Sequence, residues 1–99
     1  MKVYGFGSYF TSSESFQDID ILIVHNSISY QSCLKAIEFK RMILEEIEKT
    51  NVSILSKSAE EYFNFVNKSR AILLGITNEN DCFLNIDRII LKIKSFRDK

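Results

Sequence analysis

The sequence predicts one α/β (α+β) domain in which a small mixed sheet of three to four strands is covered by helices. Short apolar segments alternate with longer amphipathic ones, in the order strand, loop, strand, helix, strand, helix, helix. The chain has no proline and only three glycines, which indicates regular elements joined by short connections. Its 45% hydrophobic and 26% charged content is ordinary for a globular protein, so residues 1–99 are expected to form a single domain.

The first part of the chain predicts two strands around a polar loop. Val3 to Gly7 is short, apolar and aromatic, as in a strand that ends in a turn. Tyr9 to Gln17 is rich in Ser, Thr and Glu without periodicity, which favours a loop or one distorted helical turn. Asp18 to Val24 is the clearest strand, because both faces after its aspartates are apolar, as in an interior strand.

A long helix and a third strand are predicted next. Ser29 to Lys49 has the spacing of an amphipathic helix, although Lys40 and Arg41 intrude on its apolar face. Asn51 to Leu55 is a short β-branched run that favours a strand. The residues expected on the buried face of the helix are Tyr30, Cys33, Leu34, Ile37, Leu44 and Ile47.

The last third of the chain predicts two further helices. Ser58 and Glu61 form a Ser-x-x-Glu capping box, which places a helix start there. Ala71 to Ile76 is ambiguous, since it could extend that helix or form another strand, and Thr77 to Asp81 favours a loop. The final helix is marked by one apolar face at three- and four-residue steps: Ile86, Ile89, Ile90, Ile93 and Phe96.

Charge and cysteine content narrow the class of partners and the compartment. Thirteen basic and thirteen acidic residues cancel, so no global field recruits nucleic acid or an anionic membrane. Cys33 and Cys82 lack a CxxC partner, which favours reduced, buried thiols over a zinc site. No run approaches the roughly 18 apolar residues of a membrane span. We therefore expect a cytoplasmic protein.

Two short motifs carry the candidate chemistry. Residues 6–8 (FGS) close the first strand, and nine residues later residues 18–20 (DID) open the second. Side chains alternate along a strand, so Asp18 and Asp20 point the same way with Cα atoms about 6.5 Å apart. Carboxylates at this spacing can share divalent cations held about 4 Å apart, and magnesium prefers such oxygen ligands. Gly7 lets phosphate approach the main chain, and the Ser8 hydroxyl can donate to phosphate oxygens.

Each motif also has an ordinary interpretation. An Asp-x-Asp at the start of a strand can be a solvated turn, and Gly-Ser dipeptides are common. The conjunction is more specific, because the order, the spacing and the flanking hydrophobic residues agree.

Together the two motifs resemble the signature of the minimal nucleotidyltransferases of the DNA polymerase β-like nucleotidyltransferase superfamily. The order of elements through about Leu55 is similar to that fold. The tyrosine after the serine, Tyr9, resembles the same feature in members that act as antitoxins paired with HEPN-type toxins. The resemblance implies a Mg²⁺-dependent transfer of a nucleoside monophosphate from an NTP, with release of pyrophosphate. We expect the transferred group to be AMP.

The same resemblance implies roles for four residues. Gly7 and Ser8 would hold the triphosphate, while Asp18 and Asp20 would ligate magnesium as the catalytic carboxylates. The family usually has a third carboxylate on the next strand, where Ser53 occupies the expected position in this chain. Acidic residues elsewhere that could fill the gap are Asp81, Glu60 and Glu61.

Other residues have weaker functional interpretations. His25 follows the second strand at the end away from Asp18, which favours a surface or strand-end residue over a catalytic one. Lys57 and Arg70 could reach a triphosphate, although solvated side chains are the simpler interpretation. Aromatic residues fall into three groups: Phe6 is expected in the core, Tyr9 and Phe10 are candidates for base stacking, and at least one of Tyr62, Phe63 and Phe65 is expected to be exposed.

Two functional hypotheses follow from the sequence. The first is an enzyme that transfers AMP from ATP to a protein partner, since the neutral charge makes a nucleic-acid acceptor less attractive. The second is a catalytically degenerate module of the same fold that binds nucleotide, or docks a partner such as a HEPN-type toxin, without transfer. A structural subunit with a fortuitous motif is the third interpretation.

Overall fold

The computed structural model describes residues 1–11, 18–26, 30–77 and 85–96. Within these ranges the chain forms a small α+β fold, a four-stranded mixed sheet with four helices packed against it. The elements in chain order are β1 (Lys2–Phe6), β2 (Ile19–His25), α1 (Tyr30–Glu46), β3 (Thr50–Ser56), α2 (Lys57–Phe63), α3 (Phe65–Ser69), β4 (Ile72–Ile76) and α4 (Ile86–Ser95).

The sheet has the strand order β3-β2-β1-β4. Strand β1 runs antiparallel to both β2 and β4, whereas β2 and β3 are parallel. The predicted mixed sheet covered by helices is therefore confirmed. Because β1 is antiparallel to all its neighbours, its C-terminal end lies beside the N-terminal ends of β2 and β4, and β3 begins at the same edge.

Strand β2 is apolar on both faces because each face is covered. Ile21 and Ile23 are fully buried in the main core with residues of α1 and α4. On the opposite face, Leu22 and Val24 are buried where α2 packs against β2 and β3. Asp20 shares this second face, at the end that is partly open to solvent.

Helix α1 packs with a different face from the one its periodicity predicts. Ala36, Phe39 and Ile43 are fully buried against the sheet, and Ile47 beyond the helix is buried as predicted. The predicted core residues Leu34, Ile37 and Leu44 are instead 40%, 49% and 42% exposed. The helix carries apolar residues on two faces, and the larger Phe39 face fills the space above the sheet.

The start of α2 differs from the sequence prediction, and the structure resolves the ambiguous segment before residue 77. Helix α2 is capped by Ser56, whose side chain accepts a hydrogen bond from the Ala59 amide at 3.1 Å, and not by Ser58. The ambiguous segment from Ala71 to Ile76 forms β4, because it pairs with β1. Helix α4 buries Ile86, Ile89, Ile90 and Ile93, as predicted.

Parts of two predicted loops fall outside the described residues. They are residues 12–17 of the first loop and residues 78–81 of the second, and Cys82 also lies outside. Cys33 is a free, half-buried thiol. Among the described residues, every helix is too short or too polar to span a lipid bilayer.

Candidate functional site

The candidate site centres on the contact between Gly7 and the Asp20 carboxylate. Asp20 pairs with Phe6 across the antiparallel β1 and β2 strands, which brings Gly7, the residue after β1, over the aspartate. Gly7 has a φ of 79°, and a Cβ atom added there would lie 2.5 Å from Asp20 Oδ2. Only glycine combines this left-handed backbone with so close an approach to the carboxylate.

The backbone after Gly7 forms a tight turn. The Phe10 amide donates to the Gly7 carbonyl at 3.2 Å, and the Thr11 hydroxyl donates to the Ser8 carbonyl at 3.2 Å. Ser8 is half-buried within this turn, directly after the glycine. The sequence-predicted pair Gly7 and Ser8 therefore lies at the sheet end that also carries Asp20.

Asp18 and Asp20 lie at the N-terminal end of β2. Asp18 is exposed just before the strand, and the following residue, Ile19, donates its amide to the Lys49 carbonyl at 2.8 Å. Asp20 is half-buried, with Oδ2 towards Gly7 and Oδ1 accepting from Asn51 Nδ2 at 3.5 Å. All four predicted site residues are thus gathered at one end of the β1–β2 pair.

Asn51, and not Ser53, is the β3 residue beside Asp20. The parallel register pairs Asp20 with Asn51 and places Ser53 opposite Leu22, farther from the motif. Register alone does not locate a third metal ligand, so the assignment of Ser53 to that position stays a prediction. The side chain of Asn51 is a neutral amide, so no carboxylate lies directly opposite Asp20 on β3.

Magnesium fits these residues only in part. The donors at the site are oxygen atoms, which is the ligand type that Mg²⁺ prefers. Within the described residues, however, no group of three or more His, Cys, Asp or Glu side chains gathers to hold a metal ion. Two carboxylates are a small ligand set, so a cation held by Asp18 and Asp20 would need phosphate oxygens and water to complete its coordination.

Two basic residues lie at the same end of the sheet. Lys49 is exposed and precedes β3, and its carbonyl holds the start of β2. Arg70 is exposed and lies two residues before Ile72, which pairs with Gly5 of β1. Lys57, by contrast, follows β3 at the opposite end of the sheet, so Arg70 is the better placed of the two predicted cations.

The predicted acidic substitutes lie elsewhere or outside the described residues. Glu60 and Glu61 line a cavity of about 130 Å³ with Tyr4 and Lys57, at the far end of β2. Burial, and then the charge of Glu60, raises the pKa of the Tyr4 phenol. Asp81 falls outside the described ranges.

The two aromatic residues predicted to stack on a base are part of the core. Tyr9 and Phe10 are buried, and the Tyr9 hydroxyl donates to the Ile93 carbonyl of α4 at 2.6 Å. The Phe10 ring lies against Gly5, where any Cβ would overlap it. These contacts explain the turn at Gly7, because the residues after β1 have to change direction to pack against α4.

The remaining aromatic candidates are half-buried or exposed, so Phe6 is not the core residue that the sequence predicts. Phe6 is half-buried and packs edge-on against Phe65, with 5.1 Å between ring centroids. Tyr62 and Phe63 are 83% and 55% exposed, which confirms that part of this cluster faces solvent.

His25 has a structural environment. It ends β2 away from the aspartates, as predicted, but it is buried and not at the surface. Its Nδ1 lies 3.2 Å from the Ser32 hydroxyl of α1. This hydrogen bond connects the sheet to α1, at the end of β2 that lies away from the candidate site.

Comparison with known proteins does not identify the site. No protein-family model matches the chain, and no curated protein or solved structure matches it significantly. The interpretation of the site therefore depends on its own geometry.

Replacement of Gly7 by alanine is expected to destabilise the protein by about 1–3 kcal/mol, because the left-handed backbone strains any side chain. Urea denaturation measures this loss. Part of the loss is due to the Cβ contact with Asp20 Oδ2, so the same substitution should cost less in an Asp20→Ala background. A change below about 0.5 kcal/mol, the level of neutral surface substitutions, would contradict the described contact.

Proposed function

We propose that this protein binds a nucleoside triphosphate together with Mg²⁺ at the end of the β1–β2 pair. The observation that carries the proposal is the packing of Gly7, in a left-handed conformation, directly over the Asp20 carboxylate. This arrangement puts a backbone without a side chain beside a carboxylate, and a carboxylate can bind a metal ion. Phosphate and its cation need these two features next to each other.

The residues of the site have separate tasks in this proposal. Gly7 and Ser8 would hold the triphosphate through the turn, and Asp18 and Asp20 would hold the cation that accompanies it. Lys49 and Arg70 lie at the same end of the sheet, so they can offset the charge of the phosphates. Bound magnesium would supply neutralisation of that charge.

Binding is better supported than transfer. In a nucleotidyltransferase, an acceptor hydroxyl oxygen bonds to the α-phosphorus while the bond to pyrophosphate breaks. The hydroxyl proton then needs an acceptor, and a carboxylate is the usual general base. Neither Asn51, the register partner of Asp20, nor Ser53 supplies that carboxylate, because the amide of Asn51 and the hydroxyl of Ser53 are neutral.

The alternative is therefore a specific one: a catalytically degenerate module that binds nucleotide without efficient transfer. The Asn51 amide favours it over the active enzyme. In either form we propose a protein partner, of which a HEPN-type toxin is one example, and a cytoplasmic location. AMP transfer to that partner is the reaction to test.

Equilibrium binding of labelled ATP, in Mg²⁺ and in excess EDTA, tests the proposed function. We expect saturable binding in Mg²⁺ that EDTA abolishes. ATP labelled at the α-phosphate then reports transfer, and we expect little or no label on the protein itself. Failure to bind ATP in Mg²⁺ would exclude both nucleotide interpretations.

Replacement of Asn51 by aspartate is expected to strengthen metal binding. The new carboxylate lies beside Asp20, and like charges on paired strands repel, so the free variant should lose up to about 1 kcal/mol. Mg²⁺ should restore this stability, which gives a larger Mg²⁺-induced rise in Tm than in the wild type. Thermal denaturation in Mg²⁺ and in EDTA measures the difference.

The matched control is Ser53→Asp, an exposed position on the same face of the same strand. Its register partner is Leu22, so its carboxylate is farther from Asp20. An equal or larger Mg²⁺ effect at Ser53 than at Asn51 would contradict the assignment of Asn51 to the site.

A further inference from the structure

Helix α1 presents a second apolar stripe on the side away from the sheet. Leu34, Ile37 and Leu44 are exposed and lie on the helix surface opposite the buried Ala36, Phe39 and Ile43. A helix of a single small domain normally has one apolar face, and a helix that is apolar on both sides is normally covered on both. The outer stripe of α1 is therefore a candidate contact surface.

The spacing of the stripe is that of a helix-pairing seam. Leu34, Ile37, Arg41 and Leu44 follow one another at steps of three, four and three residues, which is the a–d–a–d pattern of a heptad repeat. Arg41 is exposed and occupies one of the two a positions. A partner helix lying along this seam would bury Arg41 between apolar residues, where its charge needs a carboxylate.

The flanks of the seam also carry a defined charge pattern. Glu38 and Glu45 are exposed and occupy the two e positions on one side, while the half-buried Lys40 occupies a g position on the other. Within the described part of the chain, neither these glutamates nor Arg41 form an ion pair, whereas Glu46 of the same helix pairs with Lys94. A partner can therefore recognise the seam by charge as well as by shape.

A second copy of the chain does not satisfy this pattern in either orientation. Parallel pairing puts Arg41 against its own copy in the centre of the seam. Antiparallel pairing brings the flank of Glu38 and Glu45 beside the same acidic flank of the other copy. Like charges in contact cost free energy, so both homodimers are disfavoured.

We propose that the outer face of α1 docks an amphipathic helix of another protein. That helix carries an acidic residue within its apolar stripe, opposite Arg41, and basic residues along the flank that faces Glu38 and Glu45. The surface is on the opposite side of the sheet from Asp20, because α1 packs on the face that carries Ile21 and Ile23. Docking at α1 is thus independent of the nucleotide site.

A synthetic helical peptide tests the proposal without knowledge of the natural partner. The probe has leucine at its a and d positions, one glutamate at the position that faces Arg41, and lysines on the flank that faces the acidic residues. The control peptide replaces that glutamate with lysine. Fluorescence anisotropy of the labelled peptides measures binding to the full chain.

The wild type should bind the glutamate peptide about tenfold more tightly than the lysine peptide. Arg41→Glu, an exposed substitution, should reverse this preference. Binding of Mg²⁺–ATP should be unchanged in the same variant, so failure here is separate from failure of the proposed nucleotide site. Equal affinity for both peptides, no binding of either, or an unchanged preference in Arg41→Glu would overturn the proposal.

Sedimentation of the protein alone tests the competing occupant. We expect a monomer, because self-pairing juxtaposes like charges. A dimer that is dispersed by Ile37→Asp would make a second copy the occupant of the stripe, and would overturn the proposal of a different partner.

Discussion

Replacement of Asp20 by asparagine is expected to abolish Mg²⁺-dependent nucleotide binding. The side chain keeps its size and can still accept from Asn51, but it no longer offers a negative charge to the proposed cation. Loss of an outer-shell partner typically weakens metal binding by about 10–100-fold, and loss of a direct ligand should cost more. Isothermal titration of the variant with ATP in Mg²⁺ measures the effect.

The matched control for this variant is Asp87→Asn. Asp87 is exposed in the first turn of α4, and β1 and β2 carry the candidate site. Asp87→Asn removes one negative charge, as Asp20→Asn does, so it corrects for any general effect of net charge on ATP affinity. Equal binding by the wild type and the Asp20 variant would remove Asp20 from the site.

Replacement of Phe39 by alanine is expected to cost about 3–5 kcal/mol, the usual loss for a large aromatic residue in a packed core. Phe39 is fully buried in the main hydrophobic cluster between α1 and the sheet. Since small domains are stable by only about 5–15 kcal/mol, this loss should move the urea midpoint far towards zero. Urea denaturation followed by circular dichroism measures it.

Ile37→Ala is the control on the same helix. Ile37 is half exposed, so its truncation should cost about 1 kcal/mol or less in the isolated protein. The pair of variants decides which face of α1 is inside. A larger loss at Ile37 than at Phe39 would mean that the helix is rotated relative to the described structure.

The sequence identified the elements of the sheet better than it identified the face of α1. Strand β2 has apolar residues on both faces and helix α4 has one clean apolar face, so their patterns allow one interpretation. Helix α1 has two apolar stripes, and periodicity locates each stripe without choosing between them. The buried stripe is the one that contains Phe39, whose large ring packs in the core with residues of the sheet. This packing joins residues that are distant in the chain, so local periodicity does not reveal it.

The candidate site was also predictable where it depends on local motifs, and not where it depends on long-range packing. Gly7, Ser8, Asp18 and Asp20 belong to two local motifs, and pairing of β1 with β2 brings them together. The sequence predicts Ser53 at the third position, whereas the residue that pairs with Asp20 in the structure is Asn51. The register of a parallel pair is set by long-range packing, and a shift of two residues preserves the face of each side chain.

Burial argues against a binding role for Tyr9, Phe10 and His25. Tyr9 and Phe10 follow the glycine turn, where an exposed ring could stack on a base, but the turn folds back on α4 and buries both. His25 is likewise covered by α1 through Ser32. No local sequence signal distinguishes these outcomes, because each depends on where a later helix packs.

We propose that Mg²⁺ and a triphosphate bind together over Gly7 and Asp20. Amide chemical shifts recorded by NMR during titration with ATP, in Mg²⁺ and again in EDTA, locate the bound nucleotide residue by residue. We expect Mg²⁺-dependent shifts concentrated at Gly7, Ser8, Asp20 and Asn51. No Mg²⁺-dependent shifts there, or shifts confined to the groove between β4 and α4 that Arg88 and Lys92 line, would contradict this proposal.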